Sequence, residues 1–410
     1  MAKSLQFRRY TTPTLSTITG LAGELIVDST LNTITVHDGV TAGGWKTISN
    51  TPTPGGIGYG TGTNIAITGA GSSGQVLISS GVGVPSWGFV SSYMFSKSNP
   101  TSVAFVVTGT GTATTNCIIS LDINSKIYNF ASSTNIVMPT LTAGTDYAIY
   151  TCTDGTIRAD ANFTTPTGYT SITSRKIGGF HYAPGGNAAA QSGGNTTPQI
   201  NPYSFWDLKF KPNVSDPRGM VYCGSNFWAD IYLTNTNYLT NGTSKYNVAY
   251  ACGTTPPLIS TLTSGTGSNS YAEYGYYSAN EVLTWAGKRC PTVREFQLLA
   301  YGTTENTSSS VQDNSTIWRA AYVSKYGVNQ VSGCLDVWGS EFGGGAQSAT
   351  WQNLGLSRGQ QYQLPNAALL GGYWAGGGYA GSRYSRWYAA PSFSDNAVGS
   401  RGVGDHLILV

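Results

Sequence analysis

Residues 367–410 read AALLGGYWAGGGYAGSRYSRWYAAPSFSDNAVGSRGVGDHLILV, and this stretch decides the fold. Aromatic side chains recur through it at Tyr373, Trp374, Tyr379, Tyr384, Trp387, Tyr388 and Phe393, with Gly, Ser and Ala between them. Arg383, Arg386 and Asp395 are the only charges between Gly371 and Ser400. Buried strands are richer in Val, Ile and Leu, and solvated loops carry more charge. Rings among small residues suit a protein-binding surface. Rigid aromatics supply contact area at low entropy cost, and small neighbours let a partner approach. Composition alone leaves a second reading open, a Gly-rich structural loop with packed rings.

Working outward, the 410 residues predict two or three domains. Charged residues make up only 10% of the chain, and Ser, Thr, Asn and Gly fill the spaces between short apolar runs. That is the composition of a β-rich extracellular or virion protein rather than a helical cytosolic enzyme. The net charge of +3 is spread out, so neither nucleic acid nor an anionic membrane is an expected partner. No run of roughly 18 apolar residues exists, so no membrane insertion is expected. The start, MAKSLQFRRYTTP, lacks the apolar segment of a secretory signal. Cysteines at 117, 152, 223, 252, 290 and 334 have no CxxC spacing, which predicts buried thiols, with one late-forming disulfide left open.

The segment GELIVDSTLNTITVHDG (23–39) alternates apolar and polar residues around a turn at 28–32. Such strands bury one face only, so a unit of about fifty residues needs partners. Residues 51–96 carry no charge and read as a Gly-rich fibre-like insertion or linker over 51–90, either flexible or ordered only in an oligomer. Between 91 and 174, turn-punctuated apolar runs read as a β-sandwich, with Asp154-Gly155 as a hairpin signal. The remainder, 175–410, holds the convincing helices. Ser278 with Glu281, and Thr292 with Glu295, have capping-box spacing, and Phe296, Leu299 and Ala300 form an apolar face that Gly302 ends.

Several long runs carry a resemblance: LTAGTDYAIY (141–150), GGFHYAPGGNAAAQSGGNTT (178–197), DPRGM (216–220), FWADIYL (227–233), LTNGTSKYNV (239–248), SGCLDVWGSEFGG (332–344) and the closing stretch. With residues 1–50, they resemble the major tropism determinant family of phage tail-tip receptor-binding proteins, which a retroelement diversifies at a C-terminal C-type lectin fold. The resemblance does not extend over the Gly-rich insertion. It implies a mainly β protein with an α+β C-terminal domain: an N-terminal β-prism (1–50), a central β-sandwich (91–174) and a C-type lectin fold (175–410) diversified at about 367–410, assembled as an intertwined homotrimer. The implied partners are a host cell-surface receptor, protein or glycan, and phage tail-fibre or baseplate proteins. The implied location is the tail-fibre tip of the virion, made in the host cytoplasm.

Matching the ending without gaps puts the family's diversified positions at Tyr373, Ala375, Gly377, Tyr379, Arg386, Tyr388, Ala389, Phe393, Asp395, Ala397 and Val398. All are residues that randomised adenines in AAC codons can produce. Trp is not, so Trp374 and Trp387, with Gly371, Gly372 and the LILV ending, are expected to be scaffold, and Trp374 to be buried.

Two other readings compete. The runner-up is a structural tail-fibre protein that does not diversify. A lectin-fold enzyme is third: GKRCPTVREFQ (287–297), SGCLDVWGSEFG and LGGYW…GSRGV also resemble the formylglycine-generating enzymes, but no cysteine follows Cys334 to supply their nucleophile. Of the C-terminal carboxylates, Asp336 and Glu341 are expected in structural hydrogen bonds or as ion ligands, while Asp395 and Asp405 complete a sparse set for glycan cleavage. His37 and His181 are expected to be packed or hydrogen-bonded. No EPN- or QPD-like triplet supports calcium-dependent sugar binding, so no cofactor is expected, with a structural calcium or magnesium ion left open.

Overall fold

The computed structural model describes residues 6–46, 54–60, 65–72, 75–78, 83–88, 95–124, 126–346, 351–353, 360–362 and 365–407. It divides into two compact units, residues 1–94 with 124–127 and residues 95–123 with 128–410.

In the first unit, Leu25–Asp28 and Thr33–Val36 pair as an antiparallel hairpin, and Asn32 turns with φ 52°. The Asp28 carboxylate holds the turn by accepting from the Thr12 hydroxyl (2.7 Å) and the Thr30 and Leu31 amides (3.0 and 3.1 Å). Arg8–Tyr10 runs parallel to the first strand and Trp45–Lys46 antiparallel to the second. Alternation sends Ile26 and Thr35 inward, where His37 accepts from the Gly20 amide at 3.0 Å. Leu21, Val40 and Trp45 lie largely in solvent. Further along, Gly58–Gly60 pairs with Ile65–Ile67 and Val76–Ile78 with Ser86–Gly88. The Trp87 indole donates to Gly69 O (2.6 Å), joining these two pairs.

The second unit begins as a β-sandwich. Its larger sheet orders Ile136–Val137, Ile157–Asp160, Thr145–Cys152, Ser174–Ala183 and Gln199–Ile200, with Trp206–Asp207 also on Ser174–Ala183. Asp154-Gly155 makes the expected hairpin, with Gly155 at φ 82°. Ser174–Ala183 pairs with Thr145–Cys152 from end to end, so the sheet continues past the boundary expected at 174. Phe105, Ile119, Leu121, Ile149, Ile177, Phe180 and Phe205 fill the space beneath.

In the closing half, Ser385–Ala389, Pro365–Leu370, Asp336–Ala346 and Val398–Gly399 form, in that order, a sheet that is four-stranded among the described residues. Both of its faces are covered. Along Pro365–Leu370, Ala368 and Leu370 join one cluster with Phe296 and Leu299, while Ala367 and Leu369 join another with Ala279, Val282 and Leu283. The helices Val293–Leu299 and Tyr276–Trp285 therefore pack on opposite faces, each buried Leu contributing about 1.5–3 kcal/mol.

Thr292 and Glu295 form the predicted capping box. The Glu341 carboxylate adds a second cap, accepting from the Val293 amide at 2.8 Å. Ser278 and Glu281 do not cap. Their helix begins two residues earlier, the Ser278 hydroxyl bonds back to Gly275 O, and Glu281 instead accepts from Tyr271 Oη (2.8 Å). Arg401 is wholly buried and donates to the carbonyls of Asp230, Ile231, Asn329 and Gln330 at 2.6–3.2 Å. It fastens two distant segments to the chain's end.

Candidate functional site

Beyond Leu370 the chain leaves the sheet through Gly371 and Gly372, at φ 92° and 83°. A Cβ on Gly371 would lie 2.8 Å from the Phe296 ring, and one on Gly372 would lie 2.7 Å from Ala380 Cβ. Both positions require glycine on steric and conformational grounds. The chain then loops through a short 3-10 turn, Gly377–Tyr379, and returns as Ser385–Ala389.

A distant segment holds this loop. Ser308 donates to Trp374 O (2.8 Å) and accepts from the Gly377 amide (2.9 Å). The Glu305 carboxylate takes the amide and hydroxyl of Ser382 at 2.9 and 2.6 Å. Asn366 donates to Trp387 O (2.7 Å), and Gln312 pairs with Asn396. None of these supports has a local sequence signal, since Glu305 and Ser382 are 77 positions apart.

An open cavity of about 640 Å³ is lined by Tyr373, Ala375, Gly376, Tyr379, Arg383, Tyr384, Ser385 and Arg386. Tyr379 is 84% exposed and Tyr388 51%. The Arg386 guanidinium lies 4.5 Å from the Tyr388 ring centre and 5.7 Å from that of Tyr373. Beneath it sits Asp336, fully buried, with its carboxylate 3.0 Å from the Arg386 guanidinium. Burial pushes the Asp336 carboxyl up to about 7 despite the opposing pull of Arg386.

The structure separates the eleven positions implied by the family resemblance. Ala375, Gly377, Tyr379 and Tyr388 are exposed, and Tyr373, Arg386, Phe393 and Asp395 are half-buried. Ala389, Ala397 and Val398 are buried, which corrects the expectation that they face a receptor. Ala389 pairs opposite Ala367, and Val398 opposite Asp336, and both join the apolar cluster of Ala279, Val282 and Leu283 packed on the sheet. Trp374 is likewise corrected. It is half-buried, edge-on to Tyr373, rather than a core residue. Trp387 is half-buried against the core, with its indole donating to Ser385 Oγ (3.1 Å). Of the LILV ending, 408–410 lie outside the described residues.

A second cavity, about 230 Å³, is bordered by Asp146, Asp216, Arg218, Lys245 and Lys288, and all of these but Lys245 are ion-paired. Arg218 pairs with Asp216, Lys288 with Asp230, and Asp146 with His181. His181 is thereby held between Asp146 and Tyr232, each at 2.9 Å. Among the described residues no group of three or more His, Cys, Asp or Glu is arranged to hold a metal ion.

Residues 104–207 match the family model described as the Mtd second domain, and residues 5–41 match the major tropism determinant N-terminal domain. Over the full length of both chains, the protein is 47% identical to the tail fiber receptor-binding protein of Bordetella phage BPP-1. Its structure is similar to those of the major tropism determinant M1 and U1 variants, each with a TM-score of 0.75 and 46% identity over 99% of this chain and 100% of the other. The chain belongs to the major tropism determinant family, with a mainly β architecture that ends in a C-type lectin fold.

Proposed function

We propose that this protein is a phage tail-fibre adhesin, carried on the virion tail, that grips a host cell-surface molecule through the face around Tyr373, Ala375, Gly377, Tyr379, Arg386, Tyr388, Phe393 and Asp395. The observation that carries the reading is a cluster of exposed tyrosines beside bare glycine backbone on a sheet packed on both faces. The name of the 47%-identical relative supports it. Retroelement diversification at these eight positions is supported by their accessibility and by the family resemblance. A near-copy of the last codons, differing at adenines and lying beside a reverse transcriptase gene, is the DNA signature expected.

The adhesin works as a homotrimer without catalytic turnover. Trimerisation is supported by the scant core of residues 6–46 and the apolar side chains they leave in solvent. Absence of thiol chemistry is supported by burial, which pushes the Cys290 thiol up to about 12 and leaves all six cysteines free and enclosed. The test is paired measurement of host-cell affinity and thermal unfolding. Tyr379→Ala and Tyr388→Ala should weaken binding about tenfold or more. They should change stability by less than about 0.5 kcal/mol, because an exposed ring leaves no cavity. Unchanged affinity in both variants would move the receptor site elsewhere.

A further inference from the structure

We propose that the tip cavity receives an acidic side chain of a protein partner, with Arg383 as its anchor; this rests on the adhesin reading above. Arg383 lies outside the eleven positions taken from the family resemblance. Its side chain is exposed at the cavity wall, and among the described residues it has no ion-pair partner. The neighbouring carboxylates are committed elsewhere. Asp336 is buried against Arg386, Glu305 is bonded to Ser382, and Asp395 accepts from the Ala397 amide at 2.9 Å. Among the described residues no Asp, Glu, Asn or Gln lines the cavity.

This inventory selects the ligand. Among the described residues the side-chain acceptors on the wall are tyrosine and serine hydroxyls, which hold a neutral sugar's hydroxyls less strongly than carboxylates do. A carboxylate needs donors, and a planar guanidinium offers two parallel ones. Tyr373, Tyr379 and Tyr384 line the cavity together with Arg383, so an incoming group that reaches the guanidinium also packs against aromatic rings. Tyr, Ser, Gly and Arg together are also the residues by which protein-recognising loops bind.

The experiment uses the full-length protein and host cells. Arg383→Gln should lower cell affinity about tenfold, the change typical of losing one charge-assisted contact, with an unchanged melting temperature. Arg383→Lys should recover part of it. Added sodium chloride should weaken the wild type more steeply than Arg383→Gln. A hexaglutamate peptide should compete for binding where hexaglutamine does not. Protease treatment of the cells should abolish binding, and periodate oxidation of their glycans should leave it intact. If Tyr379→Ala loses binding while Arg383→Gln keeps it, the anionic ligand is wrong and the adhesin reading stands. If neither variant loses binding, both fall. Loss on periodate treatment alone would replace the protein partner with an acidic glycan.

Discussion

Two small sheets, one near each end of the sequence, solve the problem of burial differently. The N-terminal sheet, built on Leu25–Asp28 and Thr33–Val36, buries little beyond Leu15, Ile26, Asp28, Thr35 and His37, and its loops leave Leu21 and Val40 in solvent. The C-terminal sheet, built on Asp336–Ala346 and Pro365–Leu370, is packed on both faces, with Trp338 completely enclosed. Strand pairing alone does not make a sheet self-sufficient; apolar cover on its faces does. The first sheet is therefore suited to being completed by other chains. The second can carry an open, aromatic surface without help.

The sharpest way to break this contrast is to hollow the second sheet. Trp338→Ala should cost about 3–5 kcal/mol in chemical denaturation. A loss under about 1 kcal/mol would mean the sheet tolerates a cavity that packing forbids. Next in size is a pH effect at the same sheet. Folding raises the Asp336 carboxyl from its ordinary 3.8 to about 7. Between those values the folded chain holds a proton that the unfolded chain has released. Stability from this group is therefore greatest below the lower value and falls as pH rises to the upper one. Asp336→Asn should flatten that fall and be the more stable protein at about pH 8 by roughly 1–3 kcal/mol, removing a buried charge. Urea midpoints across this range, compared with wild type, decide it. The smallest effect on folding belongs to the first sheet. Leu21→Asp with Val40→Asp should change unfolding free energy by less than about 0.5 kcal/mol yet lower the mass seen by sedimentation equilibrium from three chains to one. A mass unaltered by both charges would show that these side chains are not where chains meet.

Much of this contrast was legible in the sequence where its cause is local. Asp154-Gly155 marked its hairpin because few residues turn so tightly, and Thr292 with Glu295 marked a helix start because both partners lie within one turn. The same spacing misled at Ser278, where the upstream residues Tyr276 and Tyr277 already lie within the helix. At the tip, the family resemblance put Tyr379 and Tyr388 on the surface, where they are, but also Ala389, Ala397 and Val398, which are buried, since a small residue looks alike on a loop and inside a sheet. Trp374 was misjudged for the opposite reason: its size suggests enclosure, and an edge-on neighbour, Tyr373, covers only part of it. Glu305, Ser308 and Arg401 carry no local pattern because their partners are far away in the chain. Arg383 stood in plain view, but its importance depends on which carboxylates lie nearby, which only the fold determines.

The fastening of the tip loop has a consequence for how this surface evolves. The supports reach chiefly main-chain atoms: the carbonyl of Trp374, the amides of Gly377 and Ser382, the carbonyl of Trp387. A bond to a peptide group does not register which amino acid is encoded there. New letters at Ala375, Tyr379 or Tyr388 therefore need no compensating change elsewhere, and successive variants can be sampled one at a time along neutral steps. Arg386 is an exception. It faces Asp336 through its side chain, so a mutation there alters the electrostatics of the interior as well as the message displayed outside. Lineages that change position 386 should accordingly show a second substitution at 336 more often than chance allows.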